Sequence, residues 1–233
     1  MSNDMTPNQP AMSIKELNQQ IVGTTSSTDD VFGAVAKASS FLPRLQLFTS
    51  ASNECKKGEF PLNHYGVVTA KNRIRDLGKT VEVVPLAWRP KAMQIMADGT
   101  ILSKYDAKDP EFGRIAEMSD IQNSGCMFGP EFLLWVPGIK GFVTFFMSSK
   151  SARNEAPALK DKLDQEQAAT LDSTFLSNKK FSWQSPVIRG CSTPLDLPAG
   201  DSLITEITKF KNPPKDEIEA AEPAGATAAA RPR

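Results

Sequence analysis

A single histidine, three scattered cysteines and one neighbourhood of carboxylates are the residues that could carry acid–base, nucleophilic or metal chemistry in this chain. His64 has the one side chain whose ordinary pKa lies near neutrality, so it could act as a general base. It stands alone, however, and the stretch NHYG reads as the entry to a strand. Cys126, in SGCMFGP, could be a nucleophile, but no base lies near it in sequence, and it reads as an inert thiol. Asp106, Asp109, Glu111, Glu117 and Asp120 could gather a divalent cation. They are interleaved with Lys104, Lys108 and Arg114 and lack EF-hand spacing, which favours a solvated loop and helix face. Phosphate-cradling glycine loops, dinucleotide fingerprints and nucleophile elbows are absent from the sequence. The expectation is a protein that is not an enzyme, with no cofactor and no metal.

A different chemistry is suggested where cations stand beside aromatics. This happens at Trp88-Arg89-Pro90-Lys91, at Phe145-Phe146 ahead of Lys150 and Arg153, and at Lys179-Lys180-Phe181-Ser182-Trp183. Single-stranded nucleic acid needs this pairing, because each base offers a ring face to stack and each nucleotide a phosphate to neutralise. Trp88, Trp135, Phe145 and Trp183 are the candidate stacking groups. Arg89, Lys91, Lys150, Arg153 and Lys180 are the candidate phosphate contacts. Lys150 and Arg153 are three apart, so a helix beginning after Met147 would project them as neighbours. The competing reading makes every one of these aromatics a core residue.

These residues need elements to position them. The chain has 233 residues with 27 basic and 27 acidic side chains, so no global field drives it onto an anionic partner. Residues 41–190 nevertheless hold 20 Lys/Arg against 16 Asp/Glu, a mildly basic centre between acidic ends. Residues 1–40 are polar, with a capping-box spacing at Ser13 to Glu16 that predicts a short helix and a second short helix over Asp29–Ala38. Residues 41–210 carry short β-branched and aromatic runs at Leu45–Phe48, Tyr65–Thr69, Thr80–Trp88, Gly99–Lys104, Phe132–Val136, Phe142–Met147 and Phe181–Ile188. The turn residues in WVPGIKGFV predict a hairpin over Phe132–Met147. Helices are expected over Pro110–Met118 and Ala158–Leu171, the second with Pro157 in its first turn. Residues 211–233 are rich in Pro, Ala and acids and read as a disordered acidic tail. The fold class expected is therefore mainly β with inserted helices (α+β), flanked by flexible N- and C-terminal segments.

An odd number of cysteines, Cys55, Cys126 and Cys191, argues against a disulfide framework and for a reducing compartment. The polar N-terminus lacks the pattern of a signal peptide, and the most apolar window, Phe132–Met147, is too short and too broken to span a bilayer. A cytoplasmic location without membrane association is expected.

The segments FLPRLQLFTS, PLAWRPKA, GPEFLLWVP, FVTFFMSSKSAR, FSWQSP and CSTPLDLP resemble proteins of tailed bacteriophages, and the plan over residues 41–210 is similar to phage single-stranded DNA-binding proteins. That resemblance implies an OB-like β-barrel, single-stranded DNA as ligand in replication or recombination, and replication proteins as partners through the acidic tail. The alternative kept beside it is a virion or scaffold-type β-sandwich assembly protein, with core aromatics and tails that mediate assembly; a homo-oligomer is compatible with both.

Overall fold

Short runs of β-branched and aromatic residues, punctuated by Gly, Pro and Asn, divide the chain into brief elements around one long strand. The computed structural model describes residues 13–23, 42–69, 73–121, 123–178, 182–191, 197–198, 200–213 and 217–219. In chain order the elements are helix α1 (Ile14–Gly23), strand β1 (Arg44–Leu47), helix α2 (Asn53–Lys56), strands β2 (Tyr65–Val68), β3 (Ile74–Gly78), β4 (Val81–Ile95) and β5 (Ile101–Lys104), helix α3 (Pro110–Met118), strand β6 (Cys126–Val136), a 3-10 turn (Pro137–Ile139), strand β7 (Gly141–Phe146), helix α4 (Lys150–Asp164), strands β8 (Ala169–Ser177) and β9 (Ser182–Gly190), helix α5 (Gly200–Lys211) and strand β10 (Glu217–Glu219).

Among the described residues the strands join in the order β10-β5-β4-β6-β7-β1-β2-β3, with β8 pairing β4 and β9 pairing β8. Every pairing is antiparallel except β1 with β7, where Arg44 lies opposite Thr144 and Leu45 opposite Phe145. The mainly β core with inserted helices expected from the sequence is what the structure shows. The sheet branches at β4, and among the described residues no pairing joins its ends β10, β9 and β3 to one another. Apolar clusters instead cover both faces of the sheet. On one face Leu45, Tyr65, Val83, Phe132, Leu134, Val143 and Phe145 pack under Ala152, Ala156 and Leu159 of α4 and Leu171 of β8. On the other, Leu86, Leu133 and Trp135 pack under Ile14 of α1 and Leu203, Ile207 and Phe210 of α5. A third cluster seats α3 through Phe112 and Ile115 on Ala92 and Cys126.

Local chemistry explains the boundaries. Ser13 and Glu16 close the capping box reciprocally at 3.1 and 3.0 Å and so start α1 where the sequence predicts it. The Asp109 carboxylate accepts from the Glu111 N–H at 2.9 Å and starts α3, with Pro110 in the first turn where no donor is missed. The β6–β7 hairpin turns through Lys140, in the left-handed conformation at φ 49° and ψ 50°. Gly129 is required in β6, because a Cβ there would collide with the Met147 carbonyl.

The bounds expected for the second inserted helix are corrected. The helix expected over Ala158–Leu171 begins at Lys150, because the Ser149 hydroxyl accepts from the Ala152 N–H at 3.2 Å and caps it. Pro157 therefore lies in its interior rather than its first turn. The helix ends before Glu166, which takes a left-handed φ of 53°, and Leu171 belongs to β8 instead. Within the segment 211–233 expected to be a tail, Lys211 closes α5 and Glu217–Glu219 pair with Ile101–Ser103 of β5. The helix expected over Asp29–Ala38 lies outside the described residues.

Candidate nucleic-acid interface

Strand registry decides which expected site residues share a face. Trp88, Phe132 and Phe145 stand side by side across β4, β6 and β7, and the next row, Arg89, Glu131 and Phe146, points to the opposite face. Phe145 is buried in the cluster beneath α4, its ring edge-on to Tyr65 at 6.4 Å between centroids. Trp135 is buried in the cluster beneath α5, its ring 5.0 Å from that of Phe142. Neither ring has a face left for a base. Both are core residues, which corrects the stacking role expected for them.

Arg89 and Lys91 are corrected by a single carboxylate. Glu131 is only 3% exposed, and it receives the Arg89 Nε at 2.8 Å and the Lys91 Nζ at 2.8 Å. Burial alone would push the Glu131 carboxyl up, but the Lys91 and Arg89 charges outweigh it and hold the group below its ordinary range. Two cations face one carboxylate, and the surplus charge is spread over neighbouring groups. Arg89 donates to the Phe210 carbonyl at 2.7 Å, near the negative end of α5, and lies 3.7 Å from the Tyr105 ring centre. Lys91 lies 5.3 Å from the Phe146 ring centre. This is a structural lock between the sheet and α5.

Helix α4 separates the remaining candidates. Arg153, Pro157, Lys160 and Asp164 follow one stripe of it and face the sheet across a groove of about 500 Å³, floored by Trp88, Phe128, Pro130 and Phe132. Arg153 donates to the Phe128 carbonyl at 3.0 Å and the Ser148 carbonyl at 2.8 Å, and it pairs with Asp120 at 3.1 Å. It fastens the start of α4 to β6 and is corrected from phosphate contact to structural tie. Lys160 lies 5.1 Å from the Trp88 ring centre, so the partly buried Trp88 already has a cation on its face.

On the opposite stripe of α4, Glu155 accepts from the Ile188 N–H at 3.2 Å, and Ser151 accepts from the Trp183 indole at 3.2 Å. Trp183, 37% exposed, is the most open of the three tryptophans. Lys150, the first residue of α4 and the neighbour of Ser151 in sequence, is exposed, and the first turn of that helix carries no acid. Lys180 lies outside the described residues. Among the described residues Trp183 and Lys150 are the expected site residues left exposed, and they are linked only through Ser151, which follows Lys150 in α4 and accepts from Trp183.

Sequence reasoning missed Glu131, Lys160 and Phe175. The β8 stretch ATLDSTFLS alternates as a strand, but its first residues were assigned to the preceding helix, which hid Phe175, now 63% exposed. His64 does enter a strand, with its Nδ1 3.0 Å from both Asp76 oxygens. Although burial works against it, the Gly78 N–H and His64 together hold the Asp76 carboxyl below its ordinary range. Cys126 is buried in the cluster under α3. Among the described residues no three His, Cys, Asp or Glu side chains gather closely enough to hold a metal ion, and no helix is long and apolar enough to cross a membrane. No family model, curated protein or solved structure is similar to this chain.

Proposed function

We propose that this protein binds single-stranded DNA without catalysing a reaction, within a phage replication or recombination module, and that the contact is made where the free end of the β8–β9 hairpin meets the start of α4. The observation that carries this reading is the exposed Trp183 ring, fixed by its bond to Ser151 next to exposed Lys150. A ring held in one orientation loses little freedom when a base stacks on it, and such stacking contributes about 1–3 kcal/mol per base. Lys150 and the amides opening α4 supply positive charge for the adjoining phosphate. Lys179 and Lys180, in the segment joining β8 to β9, add two more cations in sequence. Aromatic and cation together form a minimal subsite, one nucleotide wide.

Tryptophan fluorescence tests it. Adding poly-dT should quench emission in the unaltered protein and in Trp88→Phe, and the quench should be lost in Trp183→Phe. Absence of a quench at saturating DNA, or one that survives Trp183→Phe, would overturn the assignment.

A further inference from the structure

An exposed ring stacks best when something fixes its rotation, and Trp183 spends its single polar group on doing so. The indole nitrogen is a donor only, and it reaches the Ser151 hydroxyl at 3.2 Å across 32 residues of chain. Its partner across the ladder is Leu176, which can pack against the ring but offers it no hydrogen bond. Ser151 is in turn held from outside the hairpin. It is the second residue of α4, whose first turn is closed where the Ser149 hydroxyl accepts from the Ala152 N–H at 3.2 Å. Arg153 then donates to the Ser148 carbonyl at 2.8 Å and to the Phe128 carbonyl of β6 at 3.0 Å, and it pairs with Asp120 at 3.1 Å. The start of the helix is thereby tied to a strand in the middle of the sheet.

We propose that Arg153 and Ser151 are positioning residues for the nucleotide subsite: Arg153 anchors the first turn of α4 on β6, and Ser151 carries that anchorage to the Trp183 ring on β9. The consequence for binding rests on the DNA reading above, and Arg153 takes part in it without touching a phosphate. A side chain free to rotate must be ordered when a base stacks on it, which weakens affinity by about two- to tenfold. The relay orders the ring beforehand. Stacking at β9 thus depends on a carbonyl of β6, two elements that make no ladder with each other.

NMR relaxation of the indole N–H groups in the full chain tests the relay, with the Trp183 resonance identified by its absence from Trp183→Phe. In the unaltered protein the Trp183 indole should show an order parameter near that of rigid backbone, about 0.85, and in Ser151→Ala it should fall below about 0.6. Ser151→Thr keeps the hydroxyl and should restore the order. Arg153→Ala should loosen Trp183 while Trp135, buried beneath α5, stays rigid, which separates loss of the relay from general loosening of the fold. Titration with poly-dT should show affinity lower by about two- to tenfold in both alanine variants at an unchanged slope of log affinity against log salt, whereas a lost phosphate contact would flatten that slope by about 0.7. A Trp183 indole that stays ordered in either alanine variant, order that Ser151→Thr fails to restore, or a flattened slope in Arg153→Ala would each overturn the proposal. If the unaltered protein does not bind poly-dT, the DNA reading falls and the order parameters alone decide the relay.

Discussion

Two stretches of this chain are built from the same materials and meet opposite fates. Trp88-Arg89-Pro90-Lys91 lies in β4, between β5 and β6, and its cations are drawn inward onto Glu131. Trp183, preceded in sequence by Lys179 and Lys180, lies in β9, which among the described residues pairs with β8 alone, and Leu176 rather than a carboxylate stands opposite Trp183 in the ladder. Placement in the sheet and one acid across the strand, rather than local composition, separate a structural lock from a binding surface. A cation beside an aromatic is only half of a description; the other half is what faces it.

The contrast breaks most visibly at Glu131. Glu131→Gln leaves two partly buried cations without their carboxylate and should cost about 3 kcal/mol of stability in urea denaturation, with a matching fall in Tm. Acid titration sharpens the point. The folded-state pKa of Glu131 lies below its unfolded value, so its contribution is complete above the ordinary carboxylate range and is lost as pH falls through the depressed value. Stability of the unaltered protein should therefore drop in that acid window more steeply than stability of Glu131→Gln. Equal slopes would mean that the lock does not hold the charge.

Within α4 the comparison is between two cations three residues apart. Arg153→Ala strands the Phe128 and Ser148 carbonyls and should lower stability by about 1–3 kcal/mol, whereas Lys150→Ala should change it by less than about 0.5 kcal/mol. At the hairpin, Trp183→Ala should weaken single-stranded DNA binding by about 1–3 kcal/mol with the denaturation curve unmoved. The smallest effect belongs to Lys150→Ala, which should flatten the slope of log affinity against log salt by about 0.7 for all sequences alike. A slope preserved in that variant would take Lys150 out of the DNA contact.

Much of the fold was legible because it is written locally. The capping box at Ser13, the boundaries of α3 and the β6–β7 hairpin each depend on residues within a few positions of one another. Strand β3 and helix α5 escaped notice because their apolar positions, such as Leu203, Ile207 and Phe210, acquire meaning only against a sheet contributed from far along the chain. The candidate site was less legible for the same reason. Nothing near Arg89 announces Glu131, which lies 42 residues away and becomes its neighbour only through strand registry. Trp135 and Trp183 are equally aromatic in sequence, and only the helix lying over the one and the 37% exposure of the other distinguish them.

The one parallel pairing among the described residues has a kinetic consequence. β6 and β7 close through a four-residue turn and can pair early, whereas β1 must find β7 across about a hundred residues, with Arg44 opposite Thr144. Each doubling of a closed loop costs about 0.6 kcal/mol in chain entropy, and β1 gains little ladder in return because only two of its residues are in register with β7. The β1–β2–β3 meander is therefore expected to dock on β7 only after the β6–β7 hairpin has closed. Until it docks, Leu45, Tyr65 and Val67 are missing from the cluster beneath α4 and Phe145 is bare to water.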